Sequence, residues 1–208
     1  MRVGSSLWNV AGSHAREHAR RLVDAGVTVF HWDRSDGIFA HGGGFTSYEA
    51  GSIAEEVGVS SEAHLMMSDP YPEIDQWCEF CEMIVVHVEV ESHMEAIRRI
   101  EQRGRQPAIA ICPSTPLDAL DHLPNLPILV MAITPGHAGG SWHTKTIDRL
   151  SMLSTRGLIG VDGGITLEHI PRIREAGSHW IAVGTALVNH PDPQSWLRLA
   201  QMDTNHLD

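Results

Sequence analysis

Short apolar runs alternate with amphipathic stretches along the whole chain. The apolar runs fall at 2–8, 27–33, 60–65, 83–89, 108–112, 128–133, 158–162 and 180–184. Several are rich in β-branched residues, as in Ile84-Val85-Val86, which suits parallel strands covered on both faces. A stretch with helical spacing of its apolar positions follows each run, at 14–25, 48–57, 71–81, 93–103, 117–122, 144–154, 167–176 and 193–201. Ala25-Gly26, Arg103-Gly104 and Ala176-Gly177 read as helix stops, because glycine takes the left-handed conformation that closes a helix. Strand–helix pairs repeated in this way predict an α/β chain folded as a compact (β/α)8 TIM barrel. A doubly wound open sheet would show the same alternation. With no linker, low-complexity tract or charge block, 1–208 is expected to be a single domain.

A barrel carries its chemistry where strands feed into the following loops, here 34–46, 66–70, 113–115, 134–143, 163–166 and 184–185. His31, Asp33, His64 and Asp162 all fall at predicted strand ends. Residues two apart share a strand face, so His31, Asp33 and Ser35 point one way, as do Glu62, His64 and Met66. If that face is inward, two imidazoles and two carboxylates converge at the mouth. Such a set suits a divalent metal ion, Zn2+, Fe2+, Mn2+ or Co2+. With 14 histidines in the chain, His64 or His87 alone would read as a hydrogen-bonded core residue. It is the shared location that lifts the group. Glycine turns follow at 135–140, Gly163-Gly164 and Gly184-Thr185, where backbone N–H groups can approach a phosphate closely. Together these features point to a metal-assisted enzyme acting on a small phosphorylated sugar.

Composition narrows the picture. A chain of 208 residues, 42% hydrophobic, can bury one full core. A net charge of -11 argues against nucleic acid and anionic membrane as partners. No apolar run approaches a membrane span and the first residues lack a signal-peptide core, so a cytoplasmic location is expected. Three cysteines do not make a disulfide framework. Cys78 and Cys81 read as small apolar residues closing a helix, and Cys112 as a core thiol.

The order and register of several segments resemble the ribulose-phosphate 3-epimerase family from about Ser6 to Gly184. The segments are His31-Trp32-Asp33-Arg34-Ser35-Asp36-Gly37, His64-Leu65-Met66 with Pro70, His87-Val88-Glu89, Pro113-Ser114-Thr115-Pro116, Met131 to Gly139, and Val161-Asp162-Gly163-Gly164-Ile165. The resemblance implies that His31, Asp33, His64 and Asp162 bind the metal, with Asp33 and Asp162 as the catalytic acid and base. It also implies that Ser6, His64, Met66 and Met131 contact substrate, and that phosphate lies at Gly139, Gly163, Gly164, Gly184 and Thr185. The expected partner is a small phosphorylated ketose of the D-ribulose 5-phosphate type, and a homo-oligomer, dimer or hexamer, is expected from the family.

The sequence also departs from the family pattern. Ser35 replaces a methionine and is expected to make the substrate wall more polar. Arg34 replaces a valine, and on the face opposite Asp33 it is expected to meet a surface acid. Cys112 replaces an asparagine, Gly140 a glutamine, and 41–44 is a glycine-rich loop. These changes leave open another ketose phosphate, such as D-allulose 6-phosphate, or a non-catalytic sugar-phosphate-binding paralogue. A Schiff-base aldolase or a lysine-using barrel decarboxylase is disfavoured, because the only lysine is Lys145 and position 35 is serine.

Overall fold

A computed structural model of the chain describes residues 1–12, 14–137 and 140–202. Its strands are β1 (Arg2–Ser6), β2 (Val29–Ser35), β3 (Gly43–Gly44), β4 (Ser60–Met66), β5 (Met83–His87), β6 (Gln106–Ile111), β7 (Ile128–Met131), β8 (Ile159–Asp162) and β9 (Trp180–Val183). They run in the order β1-β9-β8-β7-β6-β5-β4-β2, and a parallel β1–β2 pairing closes the ring. The fold is therefore the closed (β/α)8 barrel, and the open sheet is excluded. β3 lies outside the ring, antiparallel to β2 through Arg34↔Gly44 and Ser35↔Gly43.

The helices are α1 (Ala15–Asp24), α2 (Ser47–Val57), α3 (Ile74–Cys78), α4 (His93–Gln102), α5 (Thr146–Leu153), α6 (Ile170–Glu175), α7 (Thr185–Val188) and α8 (Pro193–Gln201). Each longer helix buries one stripe, such as Ala15, Ala19 and Leu22 of α1 or Ala96, Ile97 and Ile100 of α4. α2 begins in a reciprocal capping box between Thr46 and Glu49 and ends at Gly58, whose φ is +68°. None of the described helices is long and apolar enough to cross a membrane.

Several predicted boundaries move, each for a local reason. The helix expected at 71–81 opens as a 3-10 turn (Tyr71–Glu73) around Pro72 and is helical only to Cys78. Cys78 and Cys81 are buried, unbridged thiols there. The helix expected at 117–122 is one 3-10 turn, Leu117–Leu120, hemmed in by Pro116 and Pro124. The helix expected at 167–176 shortens to α6, with Pro171 in its first turn. Apolarity over-extends the strands expected at 2–8, 83–89 and 128–133, which stop at Ser6, His87 and Met131. It under-extends those at 27–33 and 60–65, because pairing continues through Ser35↔Met66. His31, Asp33 and His64 thus sit inside their strands, and of the four only Asp162 ends one.

Inside the barrel, Trp180 packs with Val85, Ala108, Ala110 and Leu129, and Met131 caps this cluster toward the mouth. Gly160 makes room for that indole, since a Cβ there would lie 2.1 Å from a Trp180 ring carbon. Gly160→Ala is expected to destabilise the fold by about 1–3 kcal/mol through overpacking. Urea unfolding of the variant and the wild type measures this, and an unchanged midpoint would contradict it.

Candidate active site

Inward-facing positions on β2, β4 and β8 bring the four predicted ligand residues together. Their donor atoms all lie within 4.8 Å of one another. His31 Nε2 is 3.4 Å from Asp33 Oδ1 and 4.0 Å from Asp162 Oδ2. His64 Nδ1 is 3.0 Å from Asp33 Oδ1 and 3.5 Å from Asp162 Oδ2. Both imidazoles are fully buried, and the Asp33 side chain is nearly so. Ser6 donates its hydroxyl to Asp33 Oδ2 at 2.5 Å.

The outer side of each ring is also held. His31 Nδ1 meets Glu62 Oε1 at 2.7 Å, and Arg2, reaching from the lower end of β1, holds the other oxygen of Glu62. An ionised carboxylate only accepts, so His31 carries its proton on Nδ1 there. His64 Nε2 meets His87 Nε2 at 2.9 Å, and His87 Nδ1 lies 3.1 Å from Glu89 Oε2. Glu62, His87 and Glu89 were given no role from the sequence. Two signals were available: Glu62 shares a face with His64, and His87-Val88-Glu89 is one of the segments that carry the resemblance.

The electrostatics follow from this crowding. Burial opposes charge on His31, but the Asp33 and Glu62 carboxylates outweigh it and hold the ring well above its usual pKa. Burial also works against the Asp33 carboxylate, and His31 and His64 overcome it, keeping Asp33 ionised far below the usual range. His64 is raised in the same way, with Asp162 and Asp33 offsetting burial. Burial, with His64 nearby, pushes His87 down to about 4 against the pull of Glu89. Burial opposes ionisation of Glu89 too, yet hydrogen bonds from His87, Thr115 and the Cys112 N–H bring it to about 2.

This donor set fits a divalent cation. His31 Nε2 is a buried polar atom with no hydrogen-bond partner among the described residues, and it faces both carboxylates. Without a cation, protons on the imidazoles compensate the carboxylates, and a metal would displace those protons.

Above the cluster opens a cavity of about 470 Å³. Ser6, Asp33, Met66, Met131, Asp162, Gly163, Gly164, Gly184 and Thr185 line it. His31 and His64 lie buried in the barrel wall at its base, and Gly139 falls outside the described residues. Gly163 and Gly164 take φ of +102° and +64°, which bends the chain sharply after β8. Trp8 and Asn9 also line the cavity, which the predicted strand over 2–8 had concealed. Ser35 does not line it. That hydroxyl donates to the Ala40 carbonyl at 3.0 Å, so the expected polar wall is absent at this position. Arg34 points outward and pairs with Glu73 at 3.0 Å. Cys112 is half-buried beside His87 and Glu89 at the mouth, rather than in the core.

The loop after β2 crosses the mouth. Asp36 accepts from the Ile38 and Phe39 N–H groups and from both the N–H and hydroxyl of Ser68, tying this loop to the segment after β4. The ring of Phe39 lies 4.5 Å from that of His87. Gly136, after β7, approaches so closely that a Cβ would sit 2.7 Å from the His41 nitrogen.

The pattern of residues 2–188 matches the family model described as the ribulose-phosphate 3 epimerase family. The chain belongs to that family. It is 30% identical over 202 residues to the ribulose-phosphate 3-epimerase of Methanocaldococcus jannaschii, covering 92% of this chain and 86% of that one. It is 27% identical over 204 residues to the ribulose-phosphate 3-epimerase of Escherichia coli K12, covering 91% and 90%. Membership makes the chain a carbohydrate epimerase of the ribulose-phosphate 3-epimerase type, with a residue cluster able to bind a metal ion. Among solved structures, 3-hexulose-6-phosphate synthase from Salmonella typhimurium superposes with a TM-score of 0.77 at 19% identity, over 96% of both chains. A 3-keto-L-gulonate-6-phosphate decarboxylase from Vibrio cholerae gives 0.73 at 14% identity, over 95% of this chain and 94% of that one. At these identities the likeness extends to the fold alone.

Glu62→Ala leaves the buried His31 Nδ1–H without its acceptor. A loss of about 1–3 kcal/mol of stability is expected, read by urea unfolding of the metal-free protein. A loss below about 0.5 kcal/mol, the range of an ordinary surface substitution, would show that the contact is not formed.

Proposed function

We propose that this epimerase inverts C3 of a phosphorylated ketose, interconverting D-ribulose 5-phosphate and D-xylulose 5-phosphate, with Asp33 and Asp162 moving the proton. The observation that carries this reading is the pair of carboxylates from separate strands, β2 and β8. Both reach the same two imidazoles and border the same cavity.

Inverting a carbon next to a ketone requires one group to take its proton and another to return a proton on the opposite face. Asp33, held ionised by the imidazoles and steadied by Ser6, suits removal of the proton from one face. Asp162, which must enter this step carrying a proton, delivers it to the other face while Asp33 keeps the proton it took, so the roles exchange in the reverse direction. His31, Asp33, His64 and Asp162 would hold a divalent cation, which supplies Lewis-acid stabilisation of the negative charge that develops on deprotonation. Met66 and Met131 exclude water around the reacting carbon without offering it a strong hydrogen bond. Gly163, Gly164, Gly184 and Thr185 offer backbone N–H groups to the phosphate.

Asp33→Asn and Asp162→Asn are each expected to lower kcat by at least about 10²–10⁴-fold. Turnover of ribulose 5-phosphate in deuterated water should place one deuterium at C3. Near-normal turnover in either variant, or a product free of deuterium at C3, would overturn the two-carboxylate mechanism.

A further inference from the structure

Glu62 settles which nitrogen of His31 faces the cluster, but among the described residues no carboxylate touches the outer side of His64. There, Nε2 meets Nε2 of His87 at 2.9 Å. Two imidazole nitrogens at that distance share one proton, and the distance alone does not say which ring carries it. The answer lies one residue further out. His87 Nδ1 is 3.1 Å from Glu89 Oε2, and a carboxylate can only accept. The hydrogen is therefore on His87 Nδ1. Cys112 Sγ, 3.6 Å from the same nitrogen, is the more distant neighbour and does not reverse this. A neutral ring protonated on Nδ1 presents a lone pair at Nε2, so His64 must donate from its own Nε2. Once a cation has displaced the proton that Nδ1 otherwise gives to Asp33, what remains on His64 is the Nδ1 lone pair, on the side of Asp33 and Asp162.

We propose that His87 and Glu89 are positioning residues, a relay that fixes His64 with its proton on Nε2 and so aims Nδ1 into the cluster as a metal ligand. The inference rests on the cation-binding reading given above. Metal-binding histidines commonly donate their second N–H to a fixed acceptor, and loss of that acceptor costs about 10–100-fold in affinity. In this chain, His31 has its carboxylate directly, whereas His64 reaches one through a second imidazole.

The far end of the relay is anchored in turn. Glu89 Oε1 accepts the Cys112 N–H at 2.7 Å. Arg149 donates to the Cys112 and Thr115 carbonyls at 3.1 and 2.8 Å, holding the segment after β6. Phe39 covers the His87 ring from above. The relay therefore couples β4, the end of β5, the segment after β6 and α5 to one ligand atom.

The test is cobalt(II) titration, followed by visible absorption, of the wild type, His87→Gln and His87→Leu. Thermal unfolding of each protein checks the fold, and nitrogen-15 ring spectra are taken of the wild type. Glutamine can still accept from His64 Nε2, whereas leucine cannot. His87→Leu should bind cobalt about 10–100-fold more weakly and His87→Gln close to the wild type, with wild-type His87 protonated on Nδ1. Undiminished binding by His87→Leu, equal weakening in both variants, or a proton found on His87 Nε2 would overturn the relay alone. A wild type that takes up no cobalt would overturn the cation reading of the whole cluster and the relay with it. If His87→Leu fails to fold, the wild-type ring spectrum decides.

Discussion

Two carboxylates enclosed with two buried imidazoles at the inner wall of a barrel impose an electrostatic condition on the rest of the structure. Burying ionised groups is costly unless each is paired. The Asp33 and Asp162 oxygens face His31 and His64 within 4.8 Å, and the Ser6 hydroxyl donates to Asp33 as well. The cluster is balanced when the imidazoles hold protons or when one cation replaces those protons. Both states need the same nitrogens, His31 Nε2 and His64 Nδ1, to face inward. The orientation of two rings is therefore the quantity that the surrounding residues must control.

The barrel controls it from outside the cavity. Arg2 and Glu62 fix His31 from below, and His87 with Glu89 sets His64 from the side. Small residues let this polar layer fit. A Cβ on Gly4 would stand 3.0 Å from Glu62 Oε1, and Gly160 yields its space to Trp180 underneath. Packing in the lower barrel and chemistry at the mouth are thus two consequences of one distribution of side-chain sizes along parallel strands. The loop after β2 adds a roof on the His87 side and leaves the cavity open toward β8, β9 and β1.

Much of this was legible in the sequence because parallel strands buried on both faces announce themselves as short apolar runs. Of the four cluster residues, His31, Asp33 and His64 were legible from the alternation along 31–35 and 62–66, and Asp162 from its place at the end of the apolar run 158–162. What escaped was whatever depends on pairing rather than on apolarity. Strand ends moved where register continued past the apolar run, as at Ser35 and Met66. β3 is two glycines, which carry no hydrophobic signal at all. Glu62 gains its meaning only from lying beside His31 across the β2–β4 pair, and Glu89 only through a ring two residues away. Ser35 looked like a cavity residue from its face, but its hydroxyl is taken by a carbonyl five residues on. Cys112 looked like the end of a core strand, yet β6 stops at Ile111 and leaves the thiol at the mouth.

The proposed cation site lies among His31, Asp33, His64 and Asp162. Anomalous X-ray diffraction from crystals grown with zinc addresses it directly. A single strong peak is expected about 2.0–2.2 Å from His31 Nε2, His64 Nδ1 and an oxygen of each aspartate. No peak at this position, or one lodged instead among His87, Glu89 and Cys112, the other group of potential ligands among the described residues, would contradict it.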